Sequence, residues 1–463
     1  MHFEQLYLAC LSQASYLIVD EKTKTAVVVD PRRDVDVYLD KAAKLGARIE
    51  HVFLTHFHAD FLAGHLELAQ RTGAKIWLGA RGQAQYTCEP MRDGGVLELG
   101  NVRFTFLETP GHTPESVCIL VHDLAKDKAK PLAVLTGDTL FLGDVGRPDL
   151  MVAAGMQPEE LAGMLYDSLR AKILPLSDKT IVYPGHGAGS ACGKSLSSDT
   201  SGTLGVQKRA NWALQPLPRK EFVRQLVSAL PAAPRYFAHD ARLNRERHAT
   251  LSELLPRALK PLALEEALAL ANAGAQFLDT RDADSFAREH LVGTLNIGLS
   301  GRYASWVGTM LDPARGIVLL TEPGKEEESV TRLGRIGFDQ IQGFVRGGIA
   351  AARGRTASHA RVRHEELKRR LGEPGRPHVL DIRTPGEWQA GHIDGAQHLV
   401  LDDLPQRLAE IPRERELVIV CKSGYRSSIA TSLLEKAGFA RVTDLVGGMD
   451  AWSAANPGAC TLG

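Results

Sequence analysis

Four segments of the chain place a histidine or aspartate beside glycine or proline, a combination that can build a metal site. His56 lies in Thr-His-Phe-His-Ala-Asp-Phe, His112 in Thr-Pro-Gly-His-Thr, Asp138 in Leu-Thr-Gly-Asp-Thr-Leu and His186 in Tyr-Pro-Gly-His-Gly. The first three each follow a predicted strand, and strand-end loops can bring residues that are distant in sequence to one point. Two histidines and one carboxylate are the ligands of non-haem Fe(II) oxygenases, although the same residue types can hold Zn²⁺.

A cysteine provides the second candidate for chemistry. The apolar strand 418–420 runs into Cys421, and a helical pattern follows over 428–437. At such a turn the loop amides and the helix N-terminus face the sulfur, which favours the thiolate and would hold a persulfide or an anion. We therefore predict Cys421 as a nucleophile and Arg426 as a second catalytic group. The persulfide loop between them comprises Lys422, Ser423, Gly424 and Tyr425.

An internal repeat surrounds this cysteine. Four segments recur in order at offsets of 100–102 residues, which indicates two copies of one α/β unit of about 100 residues. They are 277–281 with 379–383, 290–293 with 392–395, 337–338 with 438–439, and 347–348 with 447–448. In the first copy Thr321 replaces the cysteine and Glu326 stands where Arg426 stands. This copy is predicted to be catalytically inactive, a spacer or dimerisation module with 298–306 in its contact surface.

The four metal-site segments, in this order, resemble the metallo-β-lactamase superfamily over about residues 1–235. Its hydrolases usually carry a second metal-binding histidine where this chain has Phe61, and a phenyl ring has no lone pair to donate. The resemblance is therefore to the single-iron persulfide dioxygenases of the superfamily. It implies His56, His112 and Asp138 as ligands of one Fe(II) per chain. Three further residues, predicted to orient those ligands, are His58, Asp60 and His186.

Three residues are candidates for substrate contacts. Arg147, in a stretch over 143–149 that also resembles the dioxygenases, could bind a carboxylate or phosphate, or form a structural ion pair. Cys192 could carry a persulfide or be a buried, inert thiol. Lys194 follows it in a polar segment similar to that of dioxygenase–sulfurtransferase fusions.

The cysteine loop resembles rhodanese sulfurtransferases, whose loops have the same length. The segments 381–383, 391–396 and 447–452 also match rhodanese signatures, so this resemblance covers about residues 360–456. Together the two resemblances imply a persulfide dioxygenase fused to a sulfurtransferase. They also imply its small-molecule partners, which are a thiol persulfide such as that of glutathione or coenzyme A, O₂, sulfite and thiosulfate.

The elements that must position these residues form an α/β protein. Short apolar strands alternate with helical stretches at 35–46, 62–72 and 158–174, which predicts a layered domain. We expect a metallo-β-lactamase αββα sandwich followed by two rhodanese-like domains. The predicted boundaries are 1–235 for the dioxygenase domain, 236–258 for a helix and linker, 259–355 for the inactive copy and 360–463 for the active copy.

Composition excludes several classes of function. The 463 residues contain 55 Lys plus Arg and 55 Asp plus Glu. This balance of charge gives no indication of nucleic acid or an anionic membrane as a partner. The sequence contains no stretch of 18 apolar residues, so we predict no membrane span. The start of the chain lacks the features of a secretory signal. We expect a cytoplasmic enzyme that forms homo-oligomers.

Two other functions stay open at the level of sequence. A two-zinc thiolester hydrolase of the glyoxalase II type would share the fold, and Phe61 argues against it because this chemistry needs two metals. A non-catalytic sulfur carrier in which only Cys421 reacts is the other alternative.

Overall fold

The computed structural model describes residues 1–150, 155–194, 196–228, 230, 233–458 and 460–461. The chain divides into two compact units. The first comprises 1–254 with 333–337, and the second comprises 255–332 with 338–463.

The first unit is built on two six-stranded mixed sheets. The first sheet contains, in order, β1 (His2–Leu8), β2 (Gln13–Asp20), β3 (Thr25–Val29), β4 (Arg48–Leu54), β5 (Lys75–Gly79) and β6 (Glu89–Met91). The second contains β7 (Val96–Leu99), β8 (Val102–Glu108), β9 (Val117–Asp123), β10 (Ala133–Gly137), β11 (Ile181–Pro184) and β12 (Gly202–Thr203). Strands β3 to β6 run parallel, as do β10 and β11.

The two sheets share an apolar core with an aromatic centre. The ring of Phe53 on β4 meets those of Phe104 and Phe106 on β8 edge-on, at centroid distances of 5.2 and 5.5 Å. Such edge-to-face pairs add stability beyond the burial of their area. The alternate residues of these strands that face away from this core are also buried, because helices cover the outer faces.

The helices of the first unit complete the αββα layering that the sequence predicts. They are α1 (Asp36–Lys44), α2 (His65–Thr72), α3 (Pro158–Ser168), α4 (Leu204–Ala210), α5 (Arg219–Val227) and α6 (Phe237–Arg245). A π-helical turn at Leu169–Ile173 extends α3, and α7 (Leu251–Ala258) follows α6. The segment interpreted from sequence as a last helix with a linker thus contains two helices. None of the helices in the described ranges is long and apolar enough to cross a bilayer.

The second unit holds two five-stranded parallel sheets of identical order. The first is β13-β18-β17-β14-β16 and the second is β20-β25-β24-β21-β23. Strands of the first copy are β13 (Pro261–Leu262), β14 (Gln276–Asp279), β15 (His290–Leu291), β16 (Leu295–Asn296), β17 (Ile317–Leu320), β18 (Ile341–Val345) and β19 (Thr356–Ala357). Strands of the second are β20 (Arg361–Val362), β21 (His378–Asp381), β22 (His392–Ile393), β23 (Gln397–His398), β24 (Leu417–Val420), β25 (Val442–Leu445) and β26 (Cys460–Thr461).

The helices of this unit also repeat from one copy to the other. The first copy contains α8 (Leu264–Asn272), α9 (Ala283–Arg288), α10 (Tyr303–Met310) and α11 (Glu326–Gly334). The second contains α12 (His364–Leu371), α13 (Pro385–Gln389), α14 (Tyr425–Lys436) and α15 (Gly448–Ala455).

Side-chain contacts repeat between the two copies as well. Arg281 forms a buried ion pair with Asp279, and Arg383 forms the same pair with Asp381. The internal repeat predicted from spacing is therefore a repeat of structure.

Candidate metal centre and nucleophilic cysteine

Three side chains meet at the ends of β4, β8 and β10. His56, His112 and Asp138 are each about 1% exposed, and one ligand atom from each lies within 4.8 Å of the others. The Oδ2 atom of Asp138 is 3.5 Å from His112 Nε2 and 3.8 Å from His56 Nε2. These are the three residues that the sequence proposes as metal ligands.

Hydrogen bonds turn the Nε2 atoms of both histidines toward this point. His112 donates Nδ1–H to the carbonyl of Arg147 at 2.8 Å. Thr55 donates its hydroxyl to Asp30, so the Thr55 oxygen accepts the Nδ1–H of His56 at 2.9 Å. Metal-binding histidines typically donate their second ring nitrogen in this way, which leaves the Nε2 lone pair free for the metal.

The buried polar atoms at the centre fit a cation. Among the described residues, His112 Nε2 and Asp138 Oδ2 have no hydrogen-bond partner. Burial lowers the pKa values of His56 and His112. Burial alone would raise the pKa of Asp138, but the neighbouring histidines, His186 first, hold it well below its usual range. Two neutral imidazoles and a carboxylate therefore face one point, as a divalent metal requires.

His186 lies behind this set, between two carboxylates. Its Nδ1 is 2.9 Å from Asp138 Oδ1 and its Nε2 is 2.9 Å from Asp60 Oδ2. Burial opposes the charged form, but Asp138 and Asp60 raise the pKa of His186 well above its usual value. The ring bridges the two carboxylates and fixes Asp138.

Phe61 fills the space beside these groups. Its side chain is 1% exposed, and its ring centroid lies 4.3 Å from that of His58 and 6.4 Å from that of His186. His58 Nε2 lies 3.0 Å from Asp30 Oδ1. The phenyl ring thus places apolar carbon among the residues that would surround a second metal.

Cys192 belongs to the same site. Its sulfur and ligand atoms of Asp60 and His186 lie within 4.8 Å of one another, and its side chain is buried. Burial raises the pKa of the thiol well above its usual value, and Asp60 and Asp138 add to the shift. The sequence leaves open whether Cys192 carries a persulfide or is inert. Its burial and raised pKa favour the inert thiol, and a persulfide on Cys192 stays a prediction.

The two cationic substrate candidates are engaged by the protein. Arg147 is buried and forms a bidentate pair with Asp149, with nitrogen–oxygen distances of 2.7 and 2.8 Å. This geometry favours the structural ion pair, one of the two roles that the sequence allows. The ammonium of Lys194 donates to the carbonyls of Leu226 and Ser228 at the C-terminal end of α5. Substrate binding by either residue stays a prediction.

The cysteine loop closes over its sulfur as the sequence predicts. Cys421 directly follows β24 and is 1% exposed. The backbone N–H of Gly424 donates to its Sγ at 3.1 Å, from a left-handed conformation (φ 97°) that caps α14. Lys422 and Ser423 are exposed, while Tyr425 is half-buried. A backbone amide and a helix N-terminus therefore face the nucleophile.

Arg426 has a carboxylate partner that the sequence did not indicate. Its two terminal nitrogens lie 2.8 and 2.7 Å from the carboxylate oxygens of Glu387 on α13. Burial would lower the pKa of Arg426, but Glu387 and then Cys421 raise it. The guanidinium is thus charged and held in place at the end of the loop.

Comparison with known proteins agrees with this division of the chain. The metallo-beta-lactamase superfamily matches residues 8–186, and the rhodanese-like domain matches residues 363–455. A crystal structure of a metallo-beta-lactamase from Staphylococcus aureus subsp. aureus COL is 32% identical, with a TM-score of 0.66. The alignment covers 74% of this chain and 98% of that one. A sulfurtransferase from Allochromatium vinosum is 42% identical over 19% of this chain and 83% of its own length.

The chain belongs to the metallo-β-lactamase superfamily and is a fusion with a rhodanese-like domain. The chain is also similar to hydroxyacylglutathione hydrolase GloC from Haemophilus influenzae. The two are 27% identical over 46% of this chain and 97% of GloC. Similarity to a hydrolase identifies the first domain and leaves its reaction open.

Several residues that build the metal centre of the fusion lack a recognisable pattern in sequence. Asn244 on α6 is buried, donates to the carbonyls of His58 and Phe61, and accepts the N–H of Ala63. Glu115 accepts the N–H of Phe57 at 3.0 Å. Both hold the loop that carries His56, yet each lies far from it along the chain.

The first rhodanese-like copy of the fusion lacks the groups that serve Cys421. Thr321 follows β17 where Cys421 follows β24, and α11 begins with Glu326, Glu327 and Glu328. Three carboxylates at a helix N-terminus stabilise the helix but repel an anion from it. Its proposed contact segment partly packs inside the second unit, since the carbonyl of Gly298 accepts the hydroxyl of Tyr425 at 2.6 Å. Its inactivity and its role in dimerisation stay predictions.

Proposed function

We propose that the first domain is a non-haem Fe(II) persulfide dioxygenase and that Cys421 transfers sulfane sulfur to sulfite. The observation that carries the proposal is the ligand set of His56, His112 and Asp138, with Phe61 beside His58 and His186. A two-histidine, one-carboxylate set leaves open positions at iron. The rhodanese-like domain adds a nucleophile for the same class of sulfur compound.

The proposed oxidation balances with water as co-reactant. A persulfide R–S–SH, O₂ and H₂O give the thiol R–SH, sulfite and two protons, so the terminal sulfur is oxidised and O₂ is reduced. Fe(II) bound to His56, His112 and Asp138 would supply the redox chemistry and the open positions for the two substrates.

The protein around the ligands has three tasks in this reaction. Asp138 and Asp60 hold the proton of His186, which keeps Asp138 oriented with Oδ2 toward the ligand set. Phe61 and Phe141, both buried beside His186, limit the access of water. Cys192 presents a thiol close to Asp60 and His186 and is proposed to contact the substrate sulfur.

The proposed transfer at Cys421 proceeds in two balanced steps. The thiolate takes the terminal sulfur of R–S–SH, which releases R–S⁻ and leaves Cys–S–SH. Sulfite then attacks that sulfur, the S–S bond breaks, and thiosulfate leaves with the Cys421 thiolate restored. The N–H of Gly424 donates to the sulfur of Cys421 and would stabilise negative charge there in both steps.

Glutathione and coenzyme A persulfides both fit this proposal. Free thiols such as Cys421 and Cys192 persist in a reducing compartment. We propose the cytoplasm as that compartment.

A thiolester hydrolase is the second candidate, and similarity to hydroxyacylglutathione hydrolases favours it. The ligand atoms of Asp60, His186 and Cys192 lie close enough to hold a second ion. The apolar ring of Phe61 opposes this, because hydrolysis of this type needs two metals.

The decisive experiment combines metal analysis with oxygen uptake. We expect about one iron per chain, and O₂ consumption with glutathione or coenzyme A persulfide that is lost in His112→Ala and retained in Cys421→Ser. Two zinc ions per chain with hydrolysis of lactoylglutathione would instead establish the hydrolase. Sulfur transfer at Cys421 without any O₂ uptake by the iron-loaded chain would leave only a sulfur carrier.

A further inference from the structure

A second cluster of metal-binding residue types lies in the second unit, apart from both sites described above. It consists of His290 on β15, His359 just after β19 and Glu435 on α14. One ligand atom from each lies within 4.8 Å of the others. His290 belongs to the first copy, His359 to the segment between the two copies, and Glu435 to the helix that follows Cys421.

The geometry around Glu435 resembles the edges of a coordination polyhedron. Its Oε2 lies 3.3 Å from His290 Nε2, and its Oε1 lies 3.2 Å from His359 Nδ1. Ligand atoms of a tetrahedral zinc site are about 3.3 Å apart, given metal–nitrogen bonds of about 2.0–2.1 Å. The histidine side chains are 4% and 5% exposed, and that of Glu435 is 25% exposed, so a water molecule could complete the site.

His290 is oriented as a ligand. Its Nδ1–H donates to the carbonyl of Phe286 at 2.9 Å, and its ring stacks on the phenyl ring of Phe286 at a centroid distance of 4.2 Å. The bond fixes the tautomer, so in the neutral ring Nε2 presents a lone pair toward Glu435. Metal-bound histidines typically make such a bond to a backbone carbonyl.

His359 supplies an independent observation. Its Nδ1 is buried and has no hydrogen-bond partner among the described residues, although it points into the cluster. The backbone N–H of His359 donates to the carbonyl of Ala287, which ties this loop to α9. Its contact with Glu435 lacks the geometry of a hydrogen bond, and a bound cation would satisfy this nitrogen.

The charge of the cluster is also compatible with a cation. Without a metal, an N–H from each histidine can donate to the Glu435 carboxylate, and the proton that this adds to His290 supplies the positive charge. A divalent cation would replace these protons and bind all three residues at once. Two histidines and a glutamate are a known zinc ligand set.

We propose that His290, His359 and Glu435 bind a divalent transition-metal ion, Zn²⁺ or a similar ion, which links the inactive copy to α14. This ion is separate from any iron at His56, and the site does not depend on the proposed oxidation. Through this ion the first copy would hold α14, the helix whose N-terminus faces Cys421, in place.

The test measures zinc binding by the full chain in competition with a chromophoric chelator. The background is the His56→Ala/His112→Ala double variant, which removes the first ligand set. We expect this protein to retain about one zinc ion per chain, and its affinity to fall on the order of 100-fold on adding Glu435→Gln. Cobalt in place of zinc should show visible absorption bands that Glu435→Gln removes.

A matched control separates this site from the repeat itself. His392 occupies the position of His290 in the other copy, with Nδ1 on the carbonyl of Trp388, but it belongs to no metal-binding cluster within the described ranges. His392→Ala should leave the zinc affinity unchanged. Equal zinc binding with and without Glu435→Gln would overturn the proposal, as would a double variant that binds no zinc.

If the double variant does not fold, the comparison uses the wild-type chain with its first site loaded with iron. Glu435→Gln should then lower the zinc content by about one ion per chain. An unchanged content would refute the site.

Discussion

At the scale of single residues, Phe61 bears on what the first site can bind. Its ring is buried beside His58 and His186 and offers only carbon to a metal. Removal of a potential ligand does not by itself create an oxygenase, but we propose that it disfavours the closely spaced two-metal arrangement. The position of this ring therefore bears on the reaction more directly than overall similarity to hydrolases does.

Phe61→His should admit a second metal ion. The imidazole would stand next to His58 with a lone pair available, and zinc content should rise from about one toward about two ions per chain. Oxygen uptake on persulfide should fall at the same time. Phe61→Leu, which keeps the apolar character, is the control and should keep the original metal content. If zinc occupancy is the same in Phe61→His and wild type, exclusion of the second metal has another cause.

The pair between Glu387 and Arg426 predicts a dependence of stability on pH. Burial would raise the pKa of Glu387, but Arg426 and Thr384 lower it to about 2. A carboxylate whose pKa is lowered on folding stabilises the protein fully at pH values above its pKa in the unfolded chain, about 4.3. This contribution is lost as the pH falls toward about 2. The Glu387 side chain is 27% exposed, so we expect about 1–2 kcal/mol at neutral pH.

Hydrogen exchange of the α13 amides can measure this contribution in wild type and Glu387→Gln. The difference in protection between the two proteins should be largest above pH 5 and should shrink steadily at lower pH. A difference that is constant between pH 3 and pH 7 would mean that the pair does not stabilise the loop. Glu410→Gln, which removes the exposed pair with Arg407, is the control and should change little.

At the scale of elements, α6 positions the loop that carries the first ligand. The side chain of Asn244 satisfies two carbonyls and one N–H of the loop segment 58–63. Tyr86 in turn donates to the backbone carbonyl of Asn244. A helix near residue 240 thus belongs to the metal centre although it contributes no ligand.

Asn244→Ala should therefore affect both stability and metal binding. It leaves three buried backbone groups without partners, which we expect to cost about 2–4 kcal/mol. Iron affinity should fall about 10-fold, as for other groups that orient ligands. Urea denaturation and metal competition measure the two effects, and Asn272→Ala on the exposed face of α8 is the control. Lost stability with unchanged metal affinity would show that α6 does not position the ligand.

The sequence predicts the residues that carry chemistry better than the contacts that position them. His56, His112, Asp138 and Cys421 are predictable because each follows an apolar strand, where loops that carry functional side chains begin. Asn244 and Glu387 are not, because their roles depend on partners brought together by tertiary folding. Arg147 shows the same limit, since burial beside Asp149 determines the direction of its guanidinium.

The face of α14 is a further feature that the sequence could not reveal. Tyr425, Ser428, Ser432 and Glu435 recur at helical spacing, and all four contact the first copy. A polar stripe of this kind normally predicts a solvated face. Here the hydroxyl of Ser428 donates to Asn296 Oδ1, and the N–H of Asn296 donates to Ser432. The repeat therefore forms one unit through polar contacts.

At the scale of the whole molecule, the two proposed reactions are complementary. The first would produce sulfite and the second would consume it with sulfane sulfur. Wild type should therefore yield thiosulfate from persulfide and O₂, whereas Cys421→Ser should release sulfite. The measurement is product analysis over time, corrected for the uncatalysed reaction of sulfite with persulfide. Equal thiosulfate from both proteins would contradict sulfur transfer at Cys421.

A mixture of two inactive halves tests whether the intermediate is free. His112→Ala keeps Cys421 but cannot oxidise persulfide, and Cys421→Ser keeps the metal ligands but cannot transfer sulfur. Because sulfite is a small diffusible anion, mixing the two variants should restore thiosulfate formation, with a rate that rises with the concentration of His112→Ala. Titration of that variant against a fixed amount of Cys421→Ser measures the dependence. If the mixture accumulates sulfite however much His112→Ala is added, while His112→Ala still converts added sulfite to thiosulfate, then sulfite must pass between the sites within one molecule.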